Sequence, residues 1–211
     1  MDSFFKQAHQ YCEDHTSSPD SVLYELERET FLKVMSPHMI SGKTQGRFLE
    51  FISRMIQPEA ILEVGTFTGY ASICLARGLA PNGVLHTIEI DPELKWIAQK
   101  YFAKAKVGKK IIAHQNDARA LIPNLEVQFD LAFIDAAKMD NDLYYEMILP
   151  KLSPKGYLMI DNVLWAGKVV RNEQDADTQA IMAFNKKVQN DDRVENIMLP
   201  LRDGLMLVRK N

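Results

Sequence analysis

AILEVGTFTGYASICLARGLAPNGVLHTIEID, residues 60–91, is the stretch that decides the fold. One apolar run ends at Gly65, a helical stretch carrying Cys74 follows, and a second apolar run, VLHTIEI, ends at Asp91. The same alternation continues outward through IIAHQ (111–115), FDLAFIDA (129–136) and GYLMIDN (156–162), with helical stretches between them. Short apolar runs alternating with helices predict parallel strands joined by crossover helices and packed on both faces. The rhythm breaks at the end, where VENIMLPL (194–201) and GLMLVRK (204–210) are separated only by Arg202 and Asp203, a hairpin distance. The expected fold class is α/β, a doubly wound, mostly parallel sheet ending in an antiparallel strand pair.

Ahead of residue 60 the periodicity is helical. Phe4, Phe5, Ala8, Tyr11 and Cys12 share a helical spacing over 3–15, and a polar break at 17–21 holds cap-forming residues. A second helix is predicted over 22–35, stopped by Pro37, and a third over 44–56 aligns Phe48, Leu49, Ile52 and Ile56. These helices read as a cap, 1–56, on a core of 57–211. With no internal repeat, low-complexity segment or linker, the 211 residues read as one domain.

With 46% hydrophobic residues the composition is that of a globular domain, and a net charge of -3 provides no basic field for a polyanion, which disfavours a general nucleic-acid binder. Cys12 and Cys74, the two cysteines, are too few for a disulfide framework or a zinc cage and read as reduced core thiols. The N-terminus has no signal-peptide pattern, and no apolar run reaches the roughly 18 residues of a membrane span, so a cytoplasmic location is expected. His9, His15, His38, His86 and His114 show no metal spacing.

In open sheets of this kind ligands bind beyond the carboxyl ends of the strands. The first strand leaves through Glu63-Val64-Gly65-Thr66-Phe67-Thr68-Gly69, where two glycines permit a tight turn and a close ligand approach. Phe67 stands where a dinucleotide fingerprint needs its middle glycine, which counts against NAD. Glu89 follows Gly65 by 24 residues, near the spacing of an acid that binds ribose hydroxyls. A nucleoside without phosphates fits both facts, and S-adenosylmethionine is such a ligand. In the competing reading Gly65 and Gly69 only let strand and helix pack; Glu89 narrows that choice.

At the other strand ends stand Asp135-Ala136-Ala137-Lys138 and Asp161-Asn162. Two carboxylates and an amide, without histidine or thiol, suit a hard divalent cation such as Mg2+, with Mn2+ or Ca2+ as alternatives. Three protein oxygens leave room for the two hydroxyls of a vicinal diol, whose acidity a dication raises. Lys138, three residues after Asp135, is placed to take the proton and is expected to touch neither cation nor methyl donor in the ground state. An Asp-Asn turn and a solvated lysine are the competing structural readings. Trp165 reads equally as core filler or as a wall against a flat ring.

MISGKTQGRFL, ILEVGTFTGYAS, TIEID, FIDAAK, DNVLWAGKV and PLRDGLMLVRK, in this order over about residues 36–211, resemble the cation-dependent O-methyltransferases that include the catechol and caffeoyl-coenzyme A enzymes. The resemblance implies a Rossmann-like sheet, a homodimer and a small aromatic diol substrate. It implies Asp135, Asp161 and Asn162 as metal ligands and Lys138 as the catalytic base. Glu63, Gly65, Thr66 and Phe67 resemble the first donor loop, Glu89 the ribose acid, and Ile90 and Ala118 the adenine contacts. Met39 and Ser41 resemble residues near the donor methyl and carboxylate, and Tyr144 and Asp135 further donor contacts. Met39, Lys138, Asn162 and Trp165 would face the substrate. Ala71 stands where several relatives carry a carboxylate-binding serine, so Ser72 or backbone amides must compensate. Ala136 and Ala137 replace a bulky pair of the mammalian catechol enzymes, which leaves that wall open.

Two further functions compete. One is methylation of a hydroxylated uridine in tRNA, known among similar bacterial proteins, with Lys43, Arg47, Lys168, Arg171 and Arg202 as the basic border. The other is a catalytically silent S-adenosylmethionine-binding protein, which the complete set of cation residues opposes.

Overall fold

The computed structural model describes residues 3–211, with side chains from Lys6 onward; the side chains of Phe4 and Phe5 lie outside the described residues. The chain divides into two compact units, one running to Ala118 and one spanning Arg119–Asn211.

The first unit opens with helices α1 (Ser3–Asp14), α2 (Ser21–Lys33) and α3 (Gly42–Ile56). Asp20 starts α2 by accepting from the Leu23 amide at 3.0 Å, satisfying a donor that the first turn leaves open. Two expectations change here. Tyr11 and Cys12 are exposed, because α1 turns Ala8, His9 and Glu13 towards the protein instead. In α3 the buried residues are Gln45, Gly46, Leu49, Glu50 and Ser53 rather than the apolar line through Phe48, Ile52 and Ile56. Close packing on the following helix explains the rotation: a Cβ at Gly46 would lie 2.5 Å from the Tyr70 ring, and Ser53 Oγ donates to the Leu75 carbonyl at 2.7 Å. The Glu50 carboxylate, only 2% exposed, is held by Arg47 and Arg54 at 3.2 and 2.7 Å and by Arg77 at 3.7 Å.

Then follow β1 (Ala60–Val64), α4 (Tyr70–Ala76), β2 (Val84–Glu89), α5 (Lys95–Lys104) and β3 (Ile111–Gln115). The three strands are parallel, in the order β3-β2-β1. Strand β1 is buried on both faces, as the unbroken apolar run predicts, whereas β3 exposes Ile112, Ala113 and Gln115 because it ends the ladder. On these two outer strands His86 Nδ1 and His114 Nε2 meet at 3.1 Å, with ring centroids 5.3 Å apart and planes 18° apart. Those three values together describe an edge-to-edge hydrogen bond rather than a face-to-face stack. Burial lowers the pKa of both rings, and the neighbouring His114 lowers that of His86 further.

Helix α2 is fastened to α5 by Glu29, which accepts from Lys33 at 2.8 Å, Tyr101 at 2.7 Å and Lys100. Lys100, then Lys33 and Tyr101, hold the Glu29 carboxyl at about 2. A depressed acid stabilises the fold above its unfolded pKa, and that contribution fades as the pH falls from about 4.5 to about 2. Thermal melts of the Glu29→Gln chain should therefore show a smaller loss of midpoint over this interval than the natural chain does; identical slopes would remove Glu29 as the source.

The second unit begins within the one-turn helix α6 (Ala118–Leu121) and contains β4 (Phe129–Ile134), α7 (Asn141–Ile148), β5 (Leu152–Asp161), α8 (Ala176–Gln189), β6 (Val194–Leu199) and β7 (Leu205–Lys210). Its strand order is β4-β5-β7-β6, with β4 parallel to β5 and β7 antiparallel to both of its neighbours. The antiparallel pair at the chain's end is as the hairpin spacing predicts. Strand β6 pairs with β7 alone among the described residues and is exposed over four of its six residues. Among the described residues no helix is long and apolar enough to cross a membrane.

Candidate active site

In the first unit the strand-end turn is held open by side chains from β2. The Gly65 and Thr66 amides both donate to the Ile88 carbonyl, at 3.0 and 3.2 Å. Gly65 and Gly69 have φ of 100° and 90°, and a Cβ at Gly69 would meet the Phe102 ring at 2.5 Å, so the second glycine is required by space as well as by backbone angle. Phe67 is left-handed too, at φ 49°, although it is not glycine. Its amide donates to Glu89 Oε2 at 2.7 Å, while the Asp91 amide takes Oε1 at 2.9 Å. Glu89 thus fixes the turn, and each of its oxygens keeps a second lone pair for a ligand hydroxyl.

Beneath the turn runs a buried chain of hydroxyls. Thr87 donates to Glu63 Oε2 at 2.5 Å, so the Thr66 hydroxyl, 2.5 Å from that of Thr87, is the donor to it. Ser72 donates to the same Glu63 oxygen. Ser72 and Glu63 are fully buried. The Ser72 proton is therefore committed inside the protein, and of the two ways to compensate for Ala71, the backbone amides remain.

The turn borders a shallow cleft lined by Thr66, Phe67, Glu89, Leu94, Gln99 and Gln115, among others. Gln99 and Gln115 escaped the sequence reading; Gln115 ends β3 and the strand-end rule would have found it, whereas Gln99, in mid-helix, gave no signal. Ile90, 65% exposed, and Ala118, buried, are not among the lining residues. Met39, 54% exposed, closes a short turn after left-handed Ser36, and Ser41 beside it is buried.

In the second unit, Ile134 of β4 pairs with Ile160 of β5 in parallel register. Asp135 and Asp161 therefore leave adjacent strands at the same level, on backbones about 5 Å apart. Asp161 is 5% exposed, and its Oδ1 accepts from the Asn162 amide at 2.9 Å. Asn162 is left-handed at φ 62°, and its Nδ2 donates to Asp203 Oδ2 at 3.2 Å. Among the described residues no three His, Cys, Asp or Glu side chains cluster to hold a metal. As residue types, Asp135, Asp161 and Asn162 would offer two carboxylates and one amide oxygen, a set that fits a hard cation with open positions better than it fits zinc.

Lys138 Nζ lies 2.7 Å from Asp135 Oδ1, with both side chains less than a fifth exposed. The lysine thus holds one of the proposed cation ligands, a partner that the Asp135-to-Lys138 spacing alone does not reveal. Trp165 is half-buried with its indole N–H enclosed and without an acceptor, and Tyr144 is buried on α7. Of the basic residues offered for tRNA, Lys43 is bonded to the Glu13 carbonyl and Arg47 to Glu50 and the Ser18 carbonyl. Lys168 pairs with Asp175, and Arg171 pairs with Glu173.

A glycine turn clamped by the acid of the next strand, and a separate pair of strand-end carboxylates, are the parts of a methyltransferase. Solved structures agree on the class. The chain superposes over its whole length on a methyltransferase of Podospora anserina bound to S-adenosylhomocysteine, with a TM-score of 0.89, 25% identity and 96% of that chain covered. An O-methyltransferase of tomaymycin synthesis from Streptomyces achromogenes, in complex with S-adenosylmethionine, gives a TM-score of 0.88 and 28% identity with both chains fully covered. The mostly parallel Rossmann-like fold is that of these enzymes. Residues 13–211 match the O-methyltransferase family model, and the chain belongs to that family. A probable caffeoyl-CoA O-methyltransferase of Dictyostelium discoideum is 30% identical over 207 residues, covering 95% of this chain and 90% of that protein. The catechol O-methyltransferase domain-containing protein 1 of mouse is 33% identical over 172 residues, covering 79% and 66% respectively.

Proposed function

We propose that this O-methyltransferase moves a methyl group from S-adenosylmethionine to one hydroxyl of a vicinal aromatic diol, with Mg2+ or a similar hard dication, as a cytoplasmic homodimer. The observation that carries the reading is the β4–β5 register, which brings Asp135 and Asp161 to one level beside the Asn162 amide. Glu89 would hold the donor's ribose, with Gly65, Thr66 and Phe67 framing the turn and Glu63 supporting it from below. Met39, Ser41, Ile90, Ala118, Asp135 and Tyr144 are the further donor contacts proposed, and Trp165 the aromatic wall. A bound dication supplies Lewis acidity that lowers the pKa of a diol hydroxyl. Lys138 in its uncharged form, with its own proton given up to solvent, would accept that hydroxyl's proton as the methyl group passes from the donor sulfur, which keeps the bonding pair, to the diol oxygen.

Methyl transfer to a panel of catechols, with and without Mg2+, beside undermethylated tRNA, tests the reading. Cation-dependent turnover of a catechol supports it; turnover of tRNA alone overturns it. Glu89→Ala should weaken S-adenosylmethionine binding by about 1.5–3 kcal/mol, the worth of hydrogen bonds to a charged group, in calorimetry. Unchanged affinity would remove Glu89 from the donor site.

A further inference from the structure

We infer that Asp203, which no part of the proposed reaction uses, is a positioning residue that sets which end of the Asn162 amide is offered to the cation; this rests on the cation reading above. An asparagine side chain has a donor end and an acceptor end, and a carboxylate can only accept. Asp203 Oδ2 therefore takes Nδ2, at 3.2 Å, and leaves Oδ1 as the free end of the amide. An amide turned the other way would present N–H groups to a cation.

The same residue holds the backbone that carries Asn162. Asp203 Oδ1 accepts from the Ala166 amide, and its carbonyl accepts from Leu164 at 2.9 Å. Next to it the Gly204 carbonyl accepts from Val163 at 3.2 Å. The held segment is strained: Asn162, Trp165 and Ala166 have φ of 62°, 49° and 52°. Non-glycine residues persist there only when their surroundings over-determine them. Asp203 lies between left-handed Arg202 and Gly204, and a Cβ at 204 would come 2.5 Å from Leu164, so the two segments pack too closely there for any side chain. One carboxylate thus fixes both the loop and the amide orientation.

The test uses Mn2+ as the probe, titrated into the full chain without methyl donor or diol and followed by electron paramagnetic resonance. Asp203→Asn keeps the shape but has a single acceptor oxygen for two donors, so the amide orientation is no longer dictated. It should weaken Mn2+ binding by about 10–100-fold, the usual effect of removing an outer partner of a ligand. In an Asn162→Ala background, where no amide is left to orient, the same substitution should change affinity by less than about two-fold. If the two losses instead multiply, Asp203 meets the cation directly and the positioning role falls. If Asp203→Asn lowers the melting temperature and leaves Mn2+ affinity unmoved, the residue is structural only. A natural chain that binds no Mn2+ overturns the cation reading and this inference together.

Discussion

Lys138→Ala lowers kcat by about 10²–10⁴-fold, the usual worth of a positioned acid or base, and at the same time tightens the binding of Mg2+. The second effect follows from the ion pair. Lys138 Nζ occupies Asp135 Oδ1 at 2.7 Å, so lysine and cation draw on one carboxylate, and removing the lysine frees an oxygen and deletes a positive charge. From the sequence alone cation affinity is expected to stay constant, because spacing does not reveal which neighbour an amine has chosen. Higher pH should restore part of the rate, since a diol that ionises unaided needs no base. Steady-state kinetics with a Mg2+ titration separates the outcomes. A variant with natural kcat and only a raised KM would show that Lys138 holds the substrate and takes no proton.

Asp161→Asn should lower activity by about 10²-fold or more and raise the cation concentration needed for half-maximal rate. The substitution leaves an oxygen to accept from the Asn162 amide, as Asp161 does at 2.9 Å, so the turn survives while one negative charge of the donor set is lost. Chelation should do to the natural chain what the substitution does, with Mg2+ restoring the rate and Zn2+ serving less well, since octahedral oxygen ligation suits the former. Full turnover in excess chelator would sink the cation from the mechanism.

The strands and the order of the site motifs were legible because they rest on backbone chemistry that the local sequence controls. Gly65 and Gly69 announce a left-handed turn, and a carboxylate just past an apolar run announces a strand end. Helix faces were less legible. Alpha-helical periodicity ranks residues by hydrophobicity, yet α3 buries Gly46, Glu50 and Ser53, since small residues let α4 approach and three arginines compensate a buried acid. The outer strand β3 misled for a related reason: IIAHQ is apolar enough to suggest packing on both faces, but a strand that ends a ladder has a neighbour on one side alone. At the site, Asp203 was read only as a hairpin spacer. Its partners lie 37 to 41 positions away in the chain, beyond any local pattern.

The edge-to-edge contact of His86 with His114 makes two imidazoles on neighbouring strands into one diprotic acid. The bond already uses one N–H and one lone pair. A first added proton can leave it in place, with the charge on the donor ring. A second must land on the lone pair the bond employs, and so breaks it. Two macroscopic steps then belong to the pair rather than to either ring. A chemical-shift titration followed at His114, which lines the cleft beside Glu89, therefore reports the protonation of β2 as much as that of β3.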